Sequence, residues 1–198
     1  MWVPIALSRD LPAETTRAVV LDGLEVALWR AASGAVQLWE DRCPHRGMRL
    51  SFGFVRGESL NCLYHGWQYG TGASCQRIPA HPDLVVPPTI RATALTVVEA
   101  SGLIWTSTDL EAPPSSIPDV VPLASLAVDA PADALSLPVS STYQAGETQL
   151  DGVPFYMGWH RVHERKVMLH CATIGAVDRQ AALRAVRTLR DRAEQRAA

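Results

Sequence analysis

The sequence predicts a mainly β protein: a small antiparallel β-sandwich, followed by a short α+β segment that ends in a helix. Three observations carry that reading. Short apolar runs rich in Val, Leu and Trp fill the first half, at residues 24–31, 35–41, 93–100 and 102–107. Turn pairs separate them, among them Asp22-Gly23, Ser33-Gly34, Arg56-Gly57 and Ser101-Gly102. Helical periodicity shows only after Asp178.

Taken in order, residues 24–31 (LEVALWRA) and 35–41 (AVQLWED) read as strands on either side of Ser33-Gly34. Residues 93–100 (TALTVVEA) and 102–107 (GLIWTS) read as two more around Ser101-Gly102. Residues 111–122 (EAPPSSIPDVVP) hold four Pro and two Ser, a linker composition. The expected divisions are therefore 1–110, a linker at 111–122, and 123–198. In the last part, residues 136–145 read as a strand. Residues 155–162 and 166–174 read as a strand pair that turns at 163–166. In the closing helix Ala182, Val186, Leu189 and Ala193 share one face.

Composition narrows the function. Apolar residues make up 47% of the 198 and charged residues 19%, which suits a folded core. No apolar run is long enough to cross a membrane, and the start lacks the basic and apolar regions of an export signal. The expectation is a cytoplasmic protein without a membrane or nucleic-acid partner, the net charge being −2. Charge is uneven: residues 99–160 carry eight acids and no base, and residues 161–198 carry nine bases and four acids. These stretches could pair within one chain or between two, so residues 123–198 are expected to mediate self-association or binding to another subunit.

Four cysteines, Cys43, Cys62, Cys75 and Cys171, are too few for a disulfide scaffold. Two of them stand in a pattern. Residues 43–47 read CPHRG and residues 62–67 read CLYHGW. Each loop offers one thiolate and one imidazole, Cys43 with His45 and Cys62 with His65, and each continues into a glycine, Gly47 or Gly66. Two Cys and two His can hold a tetrahedral zinc. Zinc sites usually pair like ligands along the chain; one of each per loop suits two irons, one taking both thiolates and the other both imidazoles.

In these loops the sequence resembles the Rieske [2Fe-2S] proteins, in particular the N-terminal domain of the Rieske non-haem iron oxygenases. Leu50, Gly53, Gly72, Ile78-Pro79 and the 102–105 strand extend the resemblance from about residue 2 to residue 108. It implies a Rieske-type fold, a [2Fe-2S] cluster held by Cys43, His45, Cys62 and His65, and Arg46, Gly47, Gly66 and Trp67 around it. Respiratory Rieske loops carry an extra cysteine pair that forms a disulfide. Met48 and Tyr64 occupy those places here, and Trp67 takes the place of a serine that donates to the cluster. Fewer donors imply a low potential, roughly −150 mV. The resemblance also implies an electron donor, a ferredoxin or flavin reductase. Arg46 and Arg49 beside the cluster either pair with an acidic donor or stand as solvated loop charges.

A full oxygenase of this family adds a larger domain whose iron sits on two His and a carboxylate. Residues 123–198 look like its last elements, and its ligand motif is not found, so no mononuclear iron is expected in this chain. The expected role is an electron-transfer or accessory component that serves a mononuclear iron on an oxygenase partner. The alternatives are a compact oxygenase using His160, His163 or His170 with Glu147, Asp151 or Glu164, and a structural or redox-sensing module. A hairpin turning at 164–166 would set His160 opposite His170.

Overall fold

The computed structural model describes residues 1–108, 117–140 and 142–198. In chain order its strands are β1 (Val3–Leu7), β2 (Thr15–Leu21), β3 (Leu24–Arg30), β4 (Val36–Glu40), β5 (Phe54–Arg56), β6 (Ser59–Asn61), β7 (Gln68–Gly70) and β8 (Cys75–Arg77). They continue with β9 (Ala94–Leu95), β10 (Val97–Ala100), β11 (Leu103–Thr106), β12 (Val120–Val128), β13 (Ala145–Leu150), β14 (Val153–His163) and β15 (Lys166–Ile174). One helix, α1 (Arg179–Ala197), closes the chain. This is the mainly β architecture the sequence predicts, with antiparallel strands and a C-terminal helix.

The chain folds into two compact units. One comprises residues 11–20 and 24–97; the other comprises residues 1–10, 21–23 and 98–198. These units cut across the sequence-based divisions, which follow chain order. Of the Pro-rich stretch, residues 111–116 lie outside the described residues, and Val120 already opens β12.

The first unit has two four-stranded sheets, ordered β2-β3-β4-β9 and β5-β6-β7-β8. The β3–β4 hairpin sets Leu28 opposite Leu38 and Ala27 opposite Trp39. Both sheets feed one core, in which Trp29, Trp39, Leu60 and Tyr69 are fully buried beside Cys43, Cys62 and Cys75. Trp39 meets Trp29 and Tyr69 edge-on, with ring centroids 4.9 and 6.4 Å apart. Such geometry adds about 0.5–1.5 kcal/mol per pair beyond area burial. The second sheet is made of three-residue strands, too short for periodicity to reveal.

The second unit holds a three-stranded sheet, β1-β11-β10, and a four-stranded one, β12-β15-β14-β13. The segment 93–100 is not one strand: Ala94 and Leu95 pair with β4, whereas β10 joins the sheet of β11. Trp2, Leu7, Leu103 and Trp105 pack with Ala145 and Tyr156. The expected strand at 136–145 begins only at its last residue. Pro138 removes a backbone donor, and Ser140 Oγ caps the chain by accepting from the Tyr143 N–H at 2.7 Å.

The C-terminal reading holds in outline. Asp178 caps α1 by accepting from the Gln180 and Ala181 N–H groups. Its buried face, Ala182, Ala185, Val186 and Ala193, is covered by this chain's own sheet, including Phe155, Val167 and Leu169. The apolar stripe thus does not need a second subunit for its cover. Lys166 Nζ meets Asp129 at 3.0 Å, so the basic and acidic stretches touch within the chain.

Candidate metal centre

Two loops of the first unit repeat one hydrogen-bond pattern. In the first, the Cys43 N–H donates to Met48 O at 2.8 Å and the Gly47 N–H to Cys43 O at 2.8 Å. In the second, the Cys62 N–H donates to Trp67 O at 2.9 Å and the Gly66 N–H to Cys62 O at 2.9 Å. The matching glycines have φ of 74° and 69°, a left-handed conformation that side chains disfavour. The Gly66 turn also lies on Pro79, where a Cβ would stand 3.1 Å from Pro79 Cγ.

The loops sort the four donors into two pairs. Cys43 and Cys62 point inward, each 2% exposed, and their sulfurs interact directly. His45 and His65 lie toward solvent with ring centroids 4.6 Å apart. Burial pushes the Cys62 thiol up, and the Cys43 sulfur adds to this. The backbone N–H groups of Tyr64 and His65 pull the other way by hydrogen-bonding the Cys62 sulfur. His45 is held below its ordinary value by desolvation, by His65 and by Arg46, which favours the neutral ring a metal needs.

This arrangement fits two bridged irons. Thiolates adjoin thiolates and imidazoles adjoin imidazoles, the sorting that two irons of different ligation need. Other residues steady the pairs. The Trp67 ring stacks on His45 at 4.2 Å, with planes 6° apart, and the Tyr64 ring lies 3.8 Å from His65. Trp67 therefore supports an imidazole rather than standing in for a sulfur donor. Arg46 is exposed beside His45, whereas Arg49 is ion-paired with Glu25.

Two functional residues escaped the sequence reading. Tyr69 is fully buried on β7, and its Oη lies 3.1 Å from Cys43 Sγ. Burial and the Cys43 sulfur keep its phenol protonated, so the O–H is available to donate once that sulfur is a metal-bound thiolate. Asp41 is 5% exposed and accepts from the Ser51 N–H at 2.7 Å and the Ser51 O–H at 2.5 Å. That bond joins the two ends of the loop that carries Cys43 and His45. The only sequence signal for Tyr69 was its place two residues past the second loop.

Among the described residues the C-terminal histidines are not gathered with carboxylates into a metal-binding group. His163 and Glu164 are exposed at the β14–β15 turn, Glu147 is exposed on β13, and Asp151 is exposed between β13 and β14. The observed register sets His160 opposite Met168 and Gly158 opposite His170, so the two histidines meet diagonally. A shift at Arg161/His163 moves the pairing from the symmetric hairpin. His160 Nδ1 lies 3.0 Å from His170 Nε2, and His170 Nδ1 lies 3.0 Å from Ser125 Oγ. Ser125 in turn donates to Asp10 at 3.2 Å. Ser125 thus links the histidine pair to the Asp10 carboxylate.

The family model of the Rieske [2Fe-2S] domain matches residues 1–91. Residues 1–91 belong to the Rieske [2Fe-2S] domain family. A domain of this family binds a [2Fe-2S] cluster, and the paired donors above fit one. The oxidoreductase NdmD of Pseudomonas putida is 46% identical over 107 residues, 54% of this chain and 18% of that protein. The 3-chlorobenzoate-3,4-dioxygenase oxygenase subunit of Comamonas testosteroni is 33% identical over 106 residues, 52% of this chain and 24% of that one. This chain thus covers under a quarter of either relative. The structure of NdmA from Pseudomonas putida CBB5 aligns with a TM-score of 0.74 and 20% identity, covering 98% of this chain and 79% of that one. That likeness is one of fold, and it takes in the sheet of β12–β15 and α1. No helix among the described residues is long and apolar enough to cross a membrane.

Proposed function

We propose that this protein is an electron-transfer or accessory component of a non-haem iron oxygenase system. In this reading Cys43 and Cys62 hold one iron of the cluster and His45 and His65 hold the other. The observation that carries it is the pair of matched loops, thiolates inside and imidazoles at the surface. When bound, the cluster supplies one-electron chemistry. His45 and His65, whose rings reach the surface, give an electron its shortest way to or from a partner. Tyr69 and the Tyr64 and His65 amides donate to the sulfurs.

The partner holding a mononuclear iron would be an oxygenase subunit, and the donor a ferredoxin or flavin reductase. Residues 1–110 carry the cluster, and residues 123–198 are an oxygenase-like layer; the whole-chain fold likeness to NdmA supports this. The buried His160–His170 pair keeps one second reading in play, a compact oxygenase with its own mononuclear iron. Metal and sulfide analysis of the purified protein separates them. Two irons and two sulfides per chain, with the rhombic electron-spin signal of a histidine-ligated cluster on reduction, fit the proposal. A third iron lost on replacing His170 fits the second reading, and a colourless protein with one zinc defeats both.

A further inference from the structure

We propose that an arginine-lined cleft beside His45 is the docking point for the carboxylate-rich surface of a protein redox partner; this rests on the cluster reading above. The cleft has a volume of about 220 Å³ and runs along the first ligand loop. Arg42, Arg46 and Arg91 line it against a single carboxylate, Glu40, and His45 and Gly47 form its wall on the cluster side.

The charge on this wall is available. Arg49, in the same stretch of chain, is neutralised by Glu25. Arg42, Arg46 and Arg91 are exposed, and among the described residues no ion pair engages them. Arg91 is steadied by donating to Gly72 O at 3.2 Å. The Arg42 guanidinium lies over Gly47, its Nε 3.5 Å from where a Cβ would stand, so the glycine leaves that space open. Three guanidiniums of fixed charge present forks that match carboxylates.

The occupant is a protein rather than a free anion because the other flank of the histidine pair is apolar. Leu63 and Tyr64 are each 57% exposed, and the Tyr64 ring lies against His65. Apolar contacts beside a charged rim are the anatomy of a protein interface. Charge complementarity there sets encounter rate and orientation more than affinity. A partner seated on both flanks would bring its redox centre to the His45–His65 edge.

The test uses the cluster-loaded protein. Binding of a fluorescein-labelled poly-L-glutamate is followed by anisotropy, and oxidation of the reduced protein by ferricyanide by stopped flow. One electron passes from each reduced chain to each ferricyanide, giving ferrocyanide. Combined Arg42→Gln, Arg46→Gln and Arg91→Gln should weaken peptide binding and slow oxidation, each roughly tenfold at low salt, with the difference vanishing at high salt. A control carrying the same change in net charge, Arg184→Gln with Arg187→Gln and Arg192→Gln on α1, should keep both values. Equal losses in the control would mean that total charge, not the cleft, is at work. An unchanged cleft variant would overturn the proposal, as would inorganic phosphate competing as well as polyglutamate at matched ionic strength. The electron-spin signal is recorded first: its absence removes the cluster reading itself, whereas its presence with no effect of the cleft variant removes only the docking site.

Discussion

Replacing Tyr69 with Phe should lower the cluster's midpoint potential while leaving the fold and iron content in place. The side chain is fully buried, and its Oη stands 3.1 Å from Cys43 Sγ, so Phe fills the same space and removes one donor. Reduction adds negative charge to the iron–sulfur unit, and a donor to a ligand sulfur stabilises the reduced form more than the oxidised form. A hydrogen bond to a charged acceptor contributes about 1.5–3 kcal/mol. If half of that is gained on reduction, about 0.75–1.5 kcal/mol, the shift is about 30–65 mV for a one-electron couple. The sign is downward. Because burial and Cys43 keep the phenol protonated, the shift should not vary with pH in the neutral range. Spectroelectrochemical titration of both proteins at two pH values measures it. A potential that rises, or stays within about 10 mV, would refute the claim that Tyr69 donates to Cys43 in the loaded protein.

Gly66→Ala should cost iron content and melting temperature. It forces a side chain into φ of 69° and sets a Cβ 3.1 Å from Pro79, whereas Gly57→Ala at φ of 56° meets open space and should cost only the backbone strain of about 1 kcal/mol; equal losses in the two variants would refute the role given to Pro79. Cys171→Ser should destabilise by about 1–3 kcal/mol, by placing a hydroxyl at a fully buried site, yet leave iron per chain unchanged. Burial pushes the Cys171 thiol up, so alkylation at mildly alkaline pH should reach it only after unfolding; labelling of the native protein would contradict its placement. Removing residues 123–198 should weaken the remaining chain, because Trp2, Leu7, Leu103 and Trp105 lose the Ala145 and Tyr156 contacts that cover them; a truncated chain that melts like the whole would show that β1 and β11 need no such cover.

The four ligand positions were legible because metal chemistry demands particular residue types at short spacing, and short spacing survives in the linear sequence. The glycines were legible for the same reason: each stands four residues past a ligand cysteine, just after the histidine's place in the loop. Tyr69 and Asp41 were not, since their roles depend on what the fold brings near them. Tyr69 reaches Cys43 from 26 positions away, and Asp41 reaches Ser51 across the whole first loop. Trp67 was legible as a neighbour of the site but not in its task, which depends on the direction its ring takes.

Strands β3, β4, β11, β14 and β15 were likewise legible, and so was the capped helix, whereas β2 and β12, of seven and nine residues, were not. What the pattern could not express is which sheet a strand joins. Residues 93–100 read as one apolar run, yet the pairing changes at Thr96, with Ala94 and Leu95 against β4 and Val97–Ala100 in the sheet of β11. The same blindness to partners explains the boundary drawn near residue 110. Strand β11 is continuous in sequence with the loops that carry the ligands, but its Leu103 and Trp105 are buried with residues of β13 and β14. Apolar side chains are placed by the surface that removes them from water. For β1 and β11 that surface includes residues more than thirty positions beyond the boundary, which is why truncation there is expected to weaken the chain.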